Sequence, residues 1–263
     1  MLKRELKVNI RNFLLWNIIL IGTFLVVFLV YPSITSNNNM DMLDAVMEMF
    51  PPEILKAFNM DISSINSAFG WLKTEGFVFI YLIIGCYAGI LGSNLLLKEE
   101  NDKTIEYLNS LPVTRREIVC CKFFCGLILV IAMILVIAVF NYISLLLSGD
   151  FNSKVYLLLA ITPLFPSIVI YALCMFLSTF THKTKKVLGI SLGVVFISYI
   201  LYMLSSLDTS IEFLKYMSIF TLADIRYVIQ HESIQIGLVI LSVCLTIGLF
   251  YLIIYRYNKK ELV

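Results

Sequence analysis

The chain has 263 residues, of which 60% are apolar and only 14% charged, with a mean hydropathy of +0.91 and a formal net charge of +2. Soluble domains carry about 25% charged residues, so the composition excludes an ordinary water-soluble globule. The small net charge gives no footing for a nucleic-acid partner, and the basic residues instead read as topology signals beside lipid headgroups.

Six stretches contain no Asp, Glu, Lys, Arg or His: Asn12–Met40, Gly76–Leu97, Phe123–Gly149, Val155–Thr181, Val187–Leu207 and Ser233–Tyr255. Each exceeds the roughly 20 residues that a helix needs to cross a hydrocarbon core of about 30 Å. Backbone groups in lipid must be satisfied within the segment, and the ten-residue alternation of a membrane barrel is absent, so helices are expected. The fold class that follows is an all-α membrane protein. Its single transmembrane domain covers 1–263, with six spans at about 13–31, 77–97, 123–148, 155–180, 187–206 and 235–255.

Met1–Arg11 mixes Leu2, Leu6, Val8 and Ile10 with Lys3, Arg4, Lys7 and Arg11. It reads as an N-terminal interfacial helix on the inner leaflet, or as a basic flank of the first span. No small-x-small cleavage site follows Val30, so the first span is expected to be retained rather than removed as a signal peptide. In the outside segment Tyr31–Glu75, Leu43, Val46, Met47 and Phe50 keep helical spacing. Pro51 and Pro52 stop that helix, and a second carries Ile54, Leu55 and Phe58. The fourth span holds Pro163 and Pro166, which kink a membrane helix. Before the sixth span, the segment Asp208–Glu232 reads as two short outside re-entrant helices, the second starting at Thr221 with Asp224 in its first turn.

With the N-terminus placed inside, the inside segments hold 15 of the 20 Lys and Arg residues, which puts both termini in the cytoplasm. The six cysteines lie in the spans or at their inner edges, so no extracellular disulfide framework is implied. No metal-ligand set is evident.

The polar loop Lys98–Lys122 is the chemically distinctive segment. Asn101 or Asp102 is placed to cap a short helix with Ile105, Leu108 and Leu111 on one side and Glu106 and Asn109 toward the other. Pro112 ends it. Thr114 and Glu117 then form a T-x-x-E capping box that starts the helix leading into the third span. A push on the short helix would therefore move the third span as a lever.

This loop resembles that of the type-2 ABC exporter permeases, which reads E-E-x-x-G-T-(I/L)-E-x-L-L-x-x-P-(V/T)-(S/T)-R. The matching stretch here is Glu99–Arg115, with Lys103 standing where the family has Gly. The resemblance covers essentially the whole chain. It implies a bacterial cell-membrane permease with a cytoplasmic coupling helix between spans 2 and 3. The implied partners are cytoplasmic ABC ATPase subunits, a second permease subunit (homo- or heterodimer) and the lipid bilayer. ATP and Mg would be bound by the partner ATPase and no cofactor by this chain. By the same analogy the ATPase-coupling residues are Glu99, Glu100, Thr104, Ile105, Glu106, Leu108, Leu111, Pro112, Thr114, Arg115 and Glu117.

The chain contains no G-x-x-x-x-G-K-[ST], so the nucleotide site belongs elsewhere. Uncharged spans argue against a proton- or sodium-coupled carrier. Glu99-Glu100 superficially resembles the start of a membrane-protease motif, but His182 and His231 are expected on opposite sides of the membrane, so no catalytic residue is assigned. An intramembrane enzyme and a non-transporting scaffold remain the alternatives. Uncharged spans favour a hydrophobic or amphipathic cargo such as a peptide, antibiotic or lipid-like molecule. Asn141, Tyr142, Ser144 and Ser167 either line its path or pack helices together.

Overall fold

The computed structural model describes residues 1–34, 67–104, 113–149, 151–205, 207 and 209–260. Its α-helices are α1 (Leu2–Ile34), α2 (Ala68–Trp71), α3 (Phe77–Leu95), α4 (Lys98–Asn101), α5 (Arg115–Ser148), α6 (Ser153–Ile161), α7 (Leu164–Ser178), α8 (Thr184–Leu204), α9 (Ile225–His231) and α10 (Ile236–Lys259). Among the described residues, six helical segments are long and apolar enough to cross a membrane: α1, α3, α5, α6 with α7, α8 and α10. The two outside helices expected around Leu43–Phe50 and Pro52–Phe58 fall outside the described residues.

The centre of the bundle is α3. It packs most extensively on α7, then on α8, while α1 lies along α5 and α10 along α7. Close approach is set by missing side chains. A Cβ on Gly92 would stand 2.4 Å from the Tyr171 carbonyl oxygen and 3.1 Å from the Met175 nitrogen, so only glycine lets α3 and α7 meet backbone to backbone. A Cβ on Gly126 of α5 would fall 2.2 Å from the Tyr171 hydroxyl. Into that gap Tyr171 inserts, donating to the Lys122 and Phe123 carbonyls at 3.2 Å each. α3, α5 and α7 are thereby locked around one buried tyrosine.

The expected kink in the fourth span is a two-residue interruption at which Thr162 and Pro163 keep helical dihedrals. α6 ends at Ile161, Thr162 and Pro163 form a turn, and α7 restarts at Leu164. Pro163 and Pro166 have no N–H to give the helix ladder, and the Leu159 carbonyl, which cannot take an amide from Pro163, accepts the Thr162 amide at 3.1 Å and the Thr162 hydroxyl at 2.7 Å.

Two expectations are corrected. Met1–Arg11 is not a separate interfacial helix, because α1 runs unbroken from Leu2 to Ile34, a length of about 50 Å at 1.5 Å per residue. Its first half has no Pro or Gly to break it, and Glu5 and Asn9 share the buried face with Asn17, Leu20 and Phe24. The helix before the last span begins at Ile225, not Thr221. Asp224 is its N-cap, accepting from the Arg226 amide at 3.0 Å. Ahead of it run two 3₁₀ segments, Thr209–Met217 and Ile219–Leu222, so among the described residues the short elements are three rather than two. They are fastened to the bundle by the Tyr81 hydroxyl donating to the Ala223 carbonyl at 3.1 Å and by Ser218 donating to the Ser198 carbonyl at 2.6 Å.

Of the polar residues singled out inside the spans, two are buried in the bundle and two are half-buried. Asn141 and Ser167 are buried, Tyr142 packs on the Phe151 and Tyr156 rings, and the Ser144 hydroxyl bonds back to the Phe140 carbonyl.

Candidate functional site

Contacts around residues 95–104, 113–122, 181–184 and 257–260 gather the N-terminal helix, both ends of the polar loop, the α7–α8 turn and the C-terminal end of α10 at one pole. At the opposite pole Lys154 pairs with Glu232 at 3.1 Å. His182 lies at the first pole and His231, stacked on Tyr227, at the second, so the two histidines are apart as expected.

The loop's entry is built on the end of α3. After Leu95 the chain makes one further helical turn, α4, and closes it with a left-handed residue, Lys103 at φ 56°. The Thr104 amide donates to the Glu99 carbonyl at 2.9 Å, and the Lys103 amide to the Glu100 carbonyl at 3.4 Å. These are the paired bonds of a Schellman stop, whose left-handed position is normally glycine. The expectation that Asn101 or Asp102 would begin a helix is therefore corrected, because both end one. Replacing Lys103 by Gly is expected to stabilise this end by about 1 kcal/mol, since a left-handed L-residue costs about that much. Slower hydrogen exchange of the Thr104 amide is the check.

That turn holds two adjacent carboxylates facing different partners. Both oxygens of Glu99 lie 2.7 Å from the Lys122 ammonium of α5, which also donates to the Leu95 carbonyl at 2.6 Å and lies 3.7 Å from Glu5 of α1. Lys122 is fully buried. It is thus not the headgroup-level topology charge that the sequence suggested. It shares the inward face of α5 with Ile118, Cys125 and Leu129, at helical spacing, and a lysine in that pattern was the available signal. Glu100, its side chain 2% exposed, takes the Lys260 ammonium on one oxygen and His182 Nδ1 on the other, each at 2.7 Å. Lys260 also donates to the Thr181 carbonyl at 2.9 Å. Asn101 adds a hydrogen bond to the Thr184 hydroxyl at the start of α8.

The loop's exit is as firmly made. The Thr114 hydroxyl accepts from the Glu117 amide at 3.3 Å and the Glu117 carboxylate accepts from the Thr114 amide at 2.7 Å, so the expected capping box is present in both directions. Thr114→Ala is expected to cost about 1 kcal/mol locally, read as faster exchange of the Glu117 and Ile118 amides. Arg115 reaches the end of α10, where its Nη1 donates to the carbonyls of Asn258 at 3.2 Å and Lys260 at 2.8 Å, with Tyr257 at 3.5 Å. Carbonyls in the last turn of a helix lack the usual intrahelical donors, the Tyr257 carbonyl taking only the Lys260 amide at 3.3 Å, and a guanidinium there also suits the helix dipole.

A family model described as ABC-2 family transporter protein matches residues 1–262. The chain belongs to this family. It is thus a membrane component of an ABC transporter, a permease subunit rather than itself an enzyme. No curated protein matches it significantly.

In this ABC-2 permease, the residues that sequence reasoning marked for coupling fall into two groups. Glu99, Glu100 and Arg115 turn inward and bind other parts of the same chain, Thr114 and Glu117 cap α5, and Thr104 closes the Schellman stop. Ile105, Glu106, Leu108, Leu111 and Pro112 lie outside the described residues. The partners Glu5, Lys122, His182 and Lys260 were not anticipated.

Proposed function

We propose that this chain is the pore-forming half of a bacterial ATP-driven exporter, coupled through residues 98–122 to separate cytoplasmic ATPase subunits and working beside a second permease subunit. The observation that carries the reading is that the polar loop is anchored at both ends to span-forming helices. Its entry is clasped through Glu99 and Glu100, and its exit is capped by Thr114 with Glu117 and held by Arg115. A force applied between these anchors has a stiff path into α3, α5 and α10. Residues 105–112 are then the contact with the ATPase, because the carboxylates of Glu99 and Glu100 are already engaged within the chain.

The basic residues clustered at the loop pole support a cytoplasmic placement of that pole and of both termini. ATP and Mg act at the partner subunit, since the sequence carries no phosphate-binding loop. Uncharged spans favour a hydrophobic or amphipathic cargo.

The test is ATP hydrolysis by the permease and its ATPase in proteoliposomes, with amphipathic peptides or small polar solutes as the added probe. Hydrolysis stimulated severalfold by the peptides, and not by the solutes, supports the reading. Hydrolysis indifferent to every amphipathic probe contradicts the cargo class.

A further inference from the structure

The adjacent carboxylates Glu99 and Glu100 divide their partners between the two ends of the chain. Glu99 grips Lys122 of α5, whose ammonium also faces Glu5 of α1. Glu100 grips Lys260, just beyond α10, and His182 in the α7–α8 turn. One peptide bond separates the two anchors, and a single helical turn, closed by the left-handed Lys103, carries both. Lys122 is wholly enclosed and the side chains of Glu100 and Lys260 are 2% and 5% exposed, so water does not replace either contact cheaply.

We infer that Glu99-Glu100 is a fork that splits any displacement of the loop into two movements. One passes through Lys122 to α1 and α5, and the other through Lys260 and His182 to α10 and the α7–α8 turn. Lys122 and Lys260 are positioning residues for transport, acting through the loop and not on cargo. The inference rests on reading this loop as the coupling element, but the division of contacts is a property of the chain itself. The rigid turn matters to it: because α4 is closed by the Thr104–Glu99 bond, the two carboxylates move as one body and both branches are driven together.

The experiment uses the full chain in nanodiscs and hydrogen exchange read by mass spectrometry at residues 1–13 and 181–187. Lys122→Met is expected to speed exchange at 1–13 on the order of tenfold while 181–187 stays within about twofold, since breaking a buried pair loosens what it holds. Glu100→Ala is expected to do the reverse. If Lys122→Met does not fold, Lys122→Met with Glu99→Gln, which leaves no charged Glu99 behind, carries the same readout. Changes of equal size at both segments for both variants, or at neither, overturn the fork.

A second arm adds the ATPase with ATP and vanadate. Both segments should respond in wild type, and each variant should lose only its own branch, a separation that mere loosening does not produce. Loss of both responses in either variant also overturns the fork. If the ATPase fails to join wild type while the first arm still separates the two segments, the exporter reading fails and the fork stands.

Discussion

Lys122→Ala is expected to destabilise the protein by about 3–5 kcal/mol, the range found when one partner of a buried ion pair is removed. Alanine leaves the Glu99 carboxylate facing the space vacated by the ammonium, strips the Leu95 carbonyl of a donor and leaves Glu5 beside a second acid. The nearby Tyr171 hydrogen bonds to the Lys122 and Phe123 backbone do not compensate, because they serve carbonyls and not the side chain. A fall on the order of 10 °C in the apparent unfolding midpoint of the detergent-solubilised protein is the expected readout. Lys122→Met combined with Glu99→Gln and Glu5→Gln should recover most of the loss, since the defect is an unpaired charge and not a missing contact. An Ala variant as stable as wild type would mean that Lys122 is hydrated and not enclosed.

Gly92→Val is expected to separate α3 from α7 and abolish a monodisperse protein. Its Cβ alone would overlap the Tyr171 carbonyl oxygen, at 2.4 Å, and crowd the Met175 nitrogen. Both are backbone atoms of a helix pinned by Tyr171 to α5, so no flexible side chain can yield, and the cost is about 3 kcal/mol or more. Gly193→Ala is the control. A Cβ there meets nothing within 4 Å, and alanine is the better helix former, so its elution profile by fluorescence-detected size exclusion should match wild type.

The membrane architecture was legible because it is written locally. A charge-free run longer than the hydrocarbon core leaves a helix as the only way to satisfy its own backbone, and α3, α5, α8 and α10 are each built around such a run. The capping box at Thr114 and Glu117 was legible for the same reason, since both bonds join residues three apart. The clasp was not legible. Its partners are separated by 23, 82 and 160 residues, and nothing in a single sequence pairs Glu100 with Lys260. Two other features do carry a local signal. Asp224 precedes a short apolar run as an N-cap should, and Lys122 falls on the inward stripe of α5, not beyond it. The substitution of Lys for Gly at position 103 suggested a departure from the family turn, yet the left-handed stop forms with lysine in place because the Glu99 and Glu100 carbonyls still find the amides they need.

The division of labour within the loop gives the account its sharpest consequence. Residues whose carboxylates are engaged inside the chain should govern transmission, while Glu106 and Leu108, between the two anchored ends, should govern binding. Co-purification of the affinity-tagged chain with its cognate ATPase subunit tests this most directly, comparing wild type with the Glu106→Arg, Leu108→Asp double variant. The ATPase is expected to stay with wild type and to be released by the double variant, which itself folds and elutes normally. An ATPase that binds both equally, or neither, would contradict coupling through this loop.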